Sequence, residues 1–236
     1  MRVLGIIPAR YASSRLPGKP LIDLAGKSMI QRVYEGAIKC ELIDDLVVAT
    51  DDQRIYQHVS DFGGKVLMTA KSHLNGTERC GEVIQYFEDT DVVINIQGDE
   101  PLVQTEQLSQ LIQLFSDRKV NIGTLAKAMH EDIENPNRVK LVMNDDQEAL
   151  YFSRSVIPHS KTDITYWKHI GLYAWRKNTL EELLKLSPSS LEMAESLEQL
   201  RWLQAGYKIK VAVTDIETPN IDTIDDVQLV LKELNK

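Results

Sequence analysis

The first half of the chain alternates between two kinds of hydrophobic pattern. Short apolar runs rich in valine and isoleucine predict strands, and longer segments with apolar residues three or four positions apart predict helices. The predicted strands cover residues 3–7, 46–50, 65–68, 92–97 and 122–126. The predicted helices between them cover residues 28–40, 52–62 and 78–87. This alternation favours an α/β fold in which helices cover a mostly parallel sheet.

The pattern changes between residues 135 and 175. Short extended pieces at 139–143, 150–153 and 169–175, separated by turns, predict antiparallel strands inserted in the α/β core. Helices are predicted at 179–186, 191–204 and 222–234, and a strand at 209–213. The sequence shows no repeat, low-complexity segment or linker. We therefore expect a single domain over residues 1–236, with 135–175 as an insertion.

Composition narrows the class of protein. The chain has 236 residues, of which 43% are apolar and 26% charged, and a formal net charge of -8. Its acidity argues against a nucleic-acid partner or an anionic membrane surface. The first apolar run is too short for a signal peptide and none is long enough to span a bilayer, which indicates a cytoplasmic protein without membrane insertion. Cys40 and Cys80 have no metal-binding spacing and are predicted to be buried.

Charged residues directly follow three of the predicted strands. Arg10 comes after the first strand, Asp51 and Asp52 after the second, and Asp99 after the fourth. Because ligands of parallel sheets bind beyond the carboxyl ends of the strands, these positions are strong candidates for a site. Asp51 and Asp52 have an alternative role as caps of the following helix, and the sequence leaves both roles open.

The loop after the first strand, PARYASSRLPGKPL at residues 8–21, is very basic for so acidic a chain. It carries Arg10, Arg15 and Lys19 among small residues that let backbone amides approach an anion. The loop lacks the spacings of the P-loop and of the dinucleotide-binding motif, which disfavours a kinase or a dehydrogenase. A nucleoside triphosphate is the anion that we expect there.

Several longer motifs, taken in order, resemble one enzyme family. They are PARYASSRLPGKPL at 8–21, ATDDQRI at 49–55, NGTERC at 75–80, NIQGDEPL at 95–102, ALYFSRSVIP at 149–158, KHIGLYAWRK at 168–177, SLEQLRWLQAG at 196–206 and IDTIDD at 221–226. Together they resemble the 3-deoxy-manno-octulosonate cytidylyltransferases, or CMP-Kdo synthetases, over nearly the whole chain. The resemblance implies a Rossmann-like nucleotidyltransferase fold, similar to glycosyltransferase A, with three layers and inserted antiparallel strands used for dimerisation.

The implied reaction joins the anomeric 2-hydroxyl of the eight-carbon acid sugar Kdo to the α-phosphorus of CTP and releases pyrophosphate. The product, CMP-Kdo, is the activated sugar for lipopolysaccharide synthesis. Attack by an alcohol on a polyanion needs alignment and cations more than it needs a covalent intermediate. The resemblance implies that Arg10, Arg15 and Lys19 hold the triphosphate, with Lys19 nearest the α-phosphate.

Magnesium is the expected cofactor, because this hard cation binds carboxylate and phosphate oxygens together. Asp99 is the best candidate ligand, since it follows an apolar strand and a glycine at the carboxyl edge of the sheet. The resemblance adds Asp222 as a second ligand. Its position at the start of a predicted helix also fits a helix cap.

The implied nucleotide-binding positions lie in the first half of the chain. They are Pro8, Ala9, Arg10, Ser13, Arg15, Lys19, Asp51, Gly76, Thr77 and Arg79. Of these, Gly76, Thr77 and Arg79 belong to the segment expected around the cytosine base. Arg79 has an alternative as a first-turn helix residue that faces water. Many members of the family have glycine at the position of Ala12. Because alanine rarely adopts a positive φ, Ala12 argues against a left-handed conformation at this position.

A site for an acid sugar needs side chains that bind a carboxylate and several hydroxyls, and the resemblance implies six such positions. They are Gln97, Arg154, His169, Tyr173, Glu198 and Gln199. His169 and Tyr173 lie four apart in an extended segment and should project from the same face. A purely structural His169 is the alternative. Glu198 and Gln199 are adjacent on a predicted helix and point about 100° apart, so which of them contacts the sugar stays open.

Two other functions are compatible with this sequence. One is a cytidylyltransferase for another acid sugar, such as 8-amino-Kdo or a sialic acid, because the sugar-side residues decide between these substrates. The other is a nucleotide-binding protein without turnover. That function predicts the loss of Lys19, Asp99 or Asp222, and all three are present.

A homodimer is the expected assembly. The family pairs through its inserted strands, and segment 135–175 holds more apolar residues than a short surface hairpin would expose. These residues are Leu141, Val142, Tyr151, Phe152, Val156 and Ile157.

Overall fold

The structure, a computed structural model, describes residues 1–12 and 16–234 of the chain. The chain divides into two compact units, one formed by Met1–Ser109 with Thr218–Lys236 and the other by Gln110–Glu217. The single domain over residues 1–236 stays a prediction. Ser13 and Arg15, both predicted to bind the nucleotide, lie outside the described residues.

Strands and helices alternate through most of the described chain. The strands are β1 Val3–Ala9, β2 Asp23–Leu24, β3 Lys27–Ser28, β4 Asp45–Thr50, β5 Val66–Met68, β6 Val92–Asn95, β7 Ile122–Met129, β8 Lys140–Met143, β9 Ala149–Ser153, β10 Tyr166–Arg176 and β11 Lys210–Val213. The α-helices are α1 Met29–Ala37, α2 Gln53–Asp61, α3 Gly76–Val83, α4 Thr105–Gln113, α5 Lys177–Leu183, α6 Ser190–Glu195, α7 Gln199–Gln204 and α8 Ile224–Leu234. Within the described residues, no helix has the length and apolar character needed to cross a membrane.

The first unit contains a parallel sheet in the order β6-β1-β4-β5. Six of the seven residues of β1 are buried, as expected for a strand covered on both faces. The register pairs Ala9 with Thr50 and Ile6 with Asn95. The chain therefore leaves β1, β4 and β6 at the same edge of the sheet, which confirms the predicted parallel arrangement.

Three helices of this unit begin at polar caps. The side chains of Ser28, Asp52 and Asn75 each accept a hydrogen bond from a backbone N–H in the first turn of α1, α2 and α3. The Asp52 carboxylate accepts from the N–H of Arg54 at 2.9 Å, so the capping alternative for Asp52 is confirmed. Such caps fix where each helix starts and hence where the preceding loop lies.

The second unit contains a mostly antiparallel sheet. β10 pairs antiparallel with β7 and β8, β8 pairs antiparallel with β9, and β11 lies parallel to β7. Strands β8, β9 and β10 are the antiparallel strands predicted for residues 135–175. Both cysteines, Cys40 in the first unit and Cys80 on α3, are buried as predicted.

Three features of the fold differ from the sequence-based prediction. The single helix predicted at 191–204 is wrong, because Ser196 adopts a left-handed conformation with φ 53° and ends α6 before α7 begins. Helix α4 was not predicted. Neither was the hairpin of β2 and β3, whose two-residue turn has positive φ at Ala25 and Gly26.

Two of the apolar residues that led us to predict a dimer are buried within the single chain. Leu141 and Phe152 are both 0% exposed in the single chain. They pair across β8 and β9 and belong to the core, so counting them as excess surface residues was wrong. Exposed apolar side chains do occur nearby, at Leu150, Val156 and Ile164.

Candidate active site

A cleft of about 680 Å³ lies at the carboxyl edge of the parallel sheet in the first unit. It is lined by the basic loop after β1, by residues 74–75 before α3, by residues 97–99 after β6, and by Asp222. The rule that ligands bind beyond the carboxyl ends of parallel strands therefore places the cleft correctly. Of the predicted site residues, Pro8, Ala9, Arg10, Lys19, Gln97, Asp99 and Asp222 line it.

Gly98 explains how the loop after β6 comes so close to β1. A Cβ atom at this position would lie 2.6 Å from the carbonyl oxygen of Pro8, a distance that backbone atoms cannot accommodate. Only glycine allows this approach without displacing one of the two strand ends. The next residue, Asp99, is thereby held beside the basic loop.

Lys19 binds two carboxylates and one backbone carbonyl in the cleft. Its Nζ donates to Asp99 Oδ2 at 2.8 Å, to Asp222 Oδ1 at 3.2 Å and to the carbonyl oxygen of Ile221 at 2.5 Å. The Lys19 side chain is only 13% exposed. One ammonium group thus joins two carboxylates that are more than a hundred residues apart in the sequence.

The turn before Lys19 depends on Gly18, which adopts a left-handed conformation with φ 72°. Its N–H donates to the carbonyl oxygen of Tyr11 at 3.0 Å and so connects the two described ends of the basic loop. Ala12 is not among the described residues with positive φ. Among the described residues of this loop, the left-handed position is therefore Gly18, and alanine at position 12 is compatible with the fold.

Asp222 is held by backbone and apolar contacts on both sides. The N–H of Ile221 donates to the carbonyl oxygen of Asp99 at 2.9 Å. The side chain of Ile221 packs into a buried apolar cluster that also includes Val227 and Val230 of α8. These contacts bring the segment before α8 to the loop after β6.

The helix-cap alternative for Asp222 is wrong. Thr223 Oγ1 accepts from the N–H of Asp226, and the Asp226 carboxylate accepts from the N–H groups of Asp222 and Thr223 at 2.9 and 2.7 Å. This reciprocal pattern is a capping box with Thr223 as the cap. Because Thr223 caps the helix, the Asp222 carboxylate can bind Lys19.

The oxygen atoms around the Lys19 ammonium fit a hard divalent cation. Two carboxylates and one backbone carbonyl already surround a positive charge, and such oxygens are the ligands that magnesium prefers. The part of the chain that the structure describes holds no group of three or more acidic, histidine or cysteine side chains placed to hold a metal ion by themselves. Magnesium is commonly bound by one or two carboxylates together with substrate phosphates and water, and Asp99 and Asp222 match that pattern.

Arg10 lies on another wall of the cleft. Its Nη2 donates to the carbonyl oxygen of Asn75 at 3.2 Å and also to that of His73. Burial and the nearby charge of Arg79 lower the pKa of Arg10 below its usual value. The guanidinium still carries its charge at physiological pH, because an arginine starts from a very high pKa.

The segment that accepts from Arg10 is fixed to helix α3 by two glutamates. Glu78 Oε2 accepts from the N–H of Leu74 at 2.7 Å. Glu82 Oε2 accepts from the N–H of Ala70 at 2.8 Å and hydrogen-bonds His73 Nε2 at 2.5 Å. Sequence reasoning missed Glu82, although a glutamate one turn after Glu78 is the available signal. The two carboxylates hold the loop whose carbonyl oxygens face Arg10.

Arg79 is buried and does not face water. The alternative role for Arg79, a helix residue exposed to water, is therefore wrong. Its side chain is 0% exposed, and Nη2 donates to Asp51 Oδ2 at 2.9 Å while Nη1 donates to Thr69. Thr77 is 5% exposed, and a Cβ on Gly76 would lie 3.2 Å from Asn95 Nδ2. Asp51 therefore contacts α3, which carries Gly76, Thr77 and Arg79, and the contact of these four residues with nucleotide stays a prediction.

In the second unit, His169 and Tyr173 lie together despite an irregular strand. The register of β10 against β7 shifts between Ile170 and Tyr173, yet the two rings remain 5.3 Å apart. His169 Nε2 hydrogen-bonds Thr124 Oγ1 at 3.0 Å. The predicted shared face is therefore confirmed, and Thr124 is a partner that the sequence did not indicate.

Burial keeps both rings uncharged. Burial and the neighbouring charge of Lys168 lower the pKa of His169 to about 3. Burial, followed by the negative charge of Glu198, raises the pKa of Tyr173 well above 10. At neutral pH the pair offers neutral hydrogen-bonding groups.

The lowered pKa of His169 predicts an acid-sensitive contribution to stability. The unfolded chain binds this proton near pH 6.5, whereas the folded chain does not until about pH 3. The contribution is therefore complete above pH 6.5 and falls on acidification by about 1.4 kcal/mol per pH unit. Urea unfolding at pH 7.5 and pH 5 should show wild type losing about 2 kcal/mol more than His169→Gln. An equal loss in both proteins would contradict the assignment.

The other sugar-side residues of the second unit lie near the break between α6 and α7. Gln199 is 5% exposed, and Glu198 precedes α7 as its cap residue. The guanidinium of Arg154 donates to the carbonyl oxygens of Glu195 at 2.7 Å and of Pro136 at 3.1 Å. Sequence reasoning missed Glu195, because nothing in its local pattern distinguishes it from other helical glutamates.

Comparisons with known proteins extend over the whole chain. A family model described as cytidylyltransferase matches residues 4–209. The chain is 50% identical to the 3-deoxy-manno-octulosonate cytidylyltransferase of Parabacteroides distasonis, over 98% of this chain and 97% of that protein. The chain belongs to the 3-deoxy-manno-octulosonate cytidylyltransferase family.

Two further relatives agree with this membership. The family member of Bacteroides thetaiotaomicron is 51% identical over 97% of this chain and 96% of that protein. Among solved structures, a CMP:2-keto-3-deoxy-manno-octonic acid synthetase in complex with CTP has a TM-score of 0.96 and 42% identity, covering 100% of this chain and 99% of that one. The predicted family and nucleotidyltransferase fold are confirmed.

Proposed function

We propose that this protein transfers CMP from CTP to the anomeric 2-hydroxyl of Kdo and releases pyrophosphate. One observation carries the proposal: Lys19 of the basic loop meets Asp99 and Asp222 in one cleft of a chain that is 50% identical to a named Kdo cytidylyltransferase. A nucleotide-binding protein without turnover would have no need for this cluster. Relatives of this identity also disfavour a different acid sugar as the substrate.

The reaction forms one bond and breaks another at the α-phosphorus. The 2-hydroxyl oxygen of Kdo bonds to this phosphorus, the bond from it to the β-phosphate oxygen breaks, and the hydroxyl proton is lost to water or to a nearby base. The reaction needs no covalent enzyme intermediate, because charge stabilisation and alignment supply the rate enhancement. Arg10 and Lys19 provide fixed cations for the triphosphate.

Magnesium is the proposed cofactor. Asp99 and Asp222 would hold it, with the remaining ligands supplied by phosphate oxygens and water. When bound, it supplies Lewis acidity toward the phosphates and favours ionisation of the sugar hydroxyl. The carboxylates are suited to this because both already pair with one cation, the Lys19 ammonium.

Lys19 has two successive roles in this scheme. Without nucleotide, its ammonium neutralises the two carboxylates, which lie close enough to repel each other. With the triphosphate bound and a metal held by Asp99 and Asp222, the Lys19 ammonium would contact a phosphate oxygen instead of the two carboxylates. Lys19 would thus compete with a divalent cation for the two carboxylates and assist binding of the triphosphate.

The sugar-binding groups of the second unit are suited to hydroxyls and a carboxylate. Neutral His169 and Tyr173 can hydrogen-bond hydroxyl groups without attracting a second anion. Arg154 provides the cation for the Kdo carboxylate through N–H groups that its backbone contacts do not use. Glu198 and Gln199 complete the set proposed in this unit, and Gln97 is the sugar-binding residue proposed in the first unit.

Product formation tests the proposal directly. Pyrophosphate release should require CTP, Mg²⁺ and Kdo together, and phosphorus NMR should show a single new phosphodiester. UTP in place of CTP, or a sialic acid in place of Kdo, should each lower the rate by at least about 100-fold. Equal rates with 8-amino-Kdo would broaden the substrate, and absence of turnover with Kdo would refute the proposal.

A homodimer remains our proposal for the assembly. Leu150, Val156 and Ile164 are 59%, 37% and 39% exposed, and β9 pairs only with β8 among the described strands. An exposed strand edge with apolar neighbours favours association. Light scattering at micromolar concentration should give twice the chain mass, and Leu150→Lys should shift the population toward monomer. A monomer in the wild-type protein would contradict the proposal.

We also propose that the protein works in the cytoplasm and that its product serves lipopolysaccharide synthesis. The sequence supports the first part because its composition is ordinary for a soluble protein. The family resemblance supports the second. Loss of lipopolysaccharide on depletion of the protein is the expected cellular result.

A further inference from the structure

Arg154 is held by three backbone carbonyl groups of the second unit. Its Nε donates to the carbonyl oxygen of Glu195 at 2.7 Å, Nη1 to that of Pro136 at 3.1 Å, and Nη2 to that of Ser196 at 3.3 Å. A guanidinium has five N–H groups, so two of them are not used by these contacts. The contacts therefore fix the plane of the guanidinium and leave donors for a carboxylate.

The side chain of Glu195 reciprocates this contact. Its Oε1 accepts from Ser153 Oγ at 2.6 Å, and its Oε2 accepts from the N–H of Arg154 at 2.9 Å. The end of β9 and the end of α6 are therefore joined in both directions. Charge-assisted hydrogen bonds of this kind are stronger and more directional than neutral ones.

A buried lysine binds the same segment from the other side. Lys140 is 0% exposed, and its Nζ donates to the carbonyl oxygens of Arg154 at 2.6 Å and of Asn135 at 3.0 Å. Burial lowers the pKa of this ammonium, and the nearby negative charge of Glu195 partly opposes that effect. A buried charge is costly, and an apolar side chain of similar size would often be at least as stable at such a position. A role beyond stability is the simplest reason for a lysine here.

The joined segments lead directly to the proposed sugar-binding residues. Glu195 ends α6, Ser196 takes the left-handed conformation that turns the chain, and Glu198 and Gln199 follow at the start of α7. A shift of the α6 end would therefore move Arg154 and these two residues together. Displacements of about 1 Å at such positions can reduce activity by on the order of 100-fold.

We propose that Glu195 and Lys140 are positioning residues for the acid sugar, which fix Arg154 and the turn before Glu198 and Gln199 in the arrangement that binds Kdo. This inference rests on the proposed function, because it assigns a purpose to residues around the sugar-binding set. It predicts an effect on Kdo that is separate from any effect on CTP, since Lys19, Asp99 and Asp222 belong to the other unit.

The test compares two glutamates of the same helix. Glu195→Gln keeps the size of the side chain but cannot accept from both Ser153 and the Arg154 N–H as the carboxylate does. Glu192→Gln is the matched control, because Glu192 binds Arg201 at 2.5 and 2.7 Å and caps the start of α6 instead. We expect Glu195→Gln to raise the KM for Kdo by about 10- to 100-fold and to change the KM for CTP by less than about twofold.

Glu192→Gln should lower the melting temperature at least as much while leaving the KM for Kdo near the wild-type value. Two milder variants keep the test decisive if Glu195→Gln folds poorly. Ser153→Ala removes one of the two hydrogen bonds to Glu195, and Lys140→Met removes the buried charge. Both should raise the KM for Kdo selectively, with a smaller rise for Ser153→Ala.

Three outcomes would overturn the inference in distinguishable ways. If wild type turns over Kdo and the folded variants keep its KM, then Glu195 and Lys140 are only structural. If wild type does not turn over Kdo, the proposed function and this inference fail together. An equal rise in the KM for CTP and for Kdo would also overturn it, because positioning of the sugar predicts a selective effect.

Discussion

Asp99→Asn should lower kcat/KM for CMP transfer by on the order of 10³-fold, mostly through kcat. The substitution keeps the shape of the side chain and removes one of the two carboxylates that surround Lys19. It therefore weakens both the proposed metal site and the alignment of the triphosphate. Initial rates of pyrophosphate release with saturating Kdo are the measurement.

Asp52→Asn is the matched control for this substitution. Like Asp99, Asp52 lies at the carboxyl edge of the sheet, where it follows β4. Its carboxylate, however, caps α2 and pairs with Arg54. Asparagine is a good cap residue, so we expect activity within about twofold of wild type. If Asp99→Asn behaves like Asp52→Asn, then the metal and phosphate roles assigned to Asp99 are wrong.

Lys19→Met should lower kcat/KM by on the order of 10²- to 10³-fold and, without nucleotide, should bind Mn²⁺ about tenfold more tightly than wild type. The loss of activity follows from removing a cation from the triphosphate. The gain in Mn²⁺ affinity follows because the ammonium no longer occupies the space between Asp99 and Asp222. Electron paramagnetic resonance of free Mn²⁺ measures the second effect without any turnover.

The control for this prediction is Lys27→Met, which removes a lysine from the exposed β2–β3 hairpin. Lys27 is paired with Glu35 at the surface and contacts neither carboxylate of the cleft. It should leave both Mn²⁺ affinity and activity near wild type. If Lys19→Met binds Mn²⁺ no more tightly than wild type does, then Lys19 does not compete with a divalent cation.

Local sequence patterns predicted the parallel sheet and the edge of that sheet at which the site lies. Arg10, Asp51 and Asp99 each follow a buried strand, and parallel strands end at one edge, so their common location followed from a general rule. This prediction required only that the strands be parallel and in one sheet, and it did not depend on their exact ends. The cap role of Asp52 was also within reach, because capping depends on a few adjacent residues.

Long-range partners could not be obtained in the same way. The resemblance indicated a metal-binding role for Asp222, but only the structure shows that Thr223 caps α8 and that the Ile221 N–H binds the carbonyl oxygen of Asp99. The break at Ser196 escaped the pattern because the apolar period continues across it while the backbone turns. Arg154 was predicted as a sugar ligand, and its three backbone partners became visible only in the fold.

A crystal structure with CTP and Mn²⁺ tests the central claim most directly. Anomalous scattering from manganese locates the metal independently of any assumption about its ligands. We expect a peak between the carboxylates of Asp99 and Asp222, with the triphosphate beside Arg10 and the Lys19 ammonium moved to a phosphate oxygen. A manganese peak elsewhere, with Lys19 still between the two carboxylates, would contradict the proposed site.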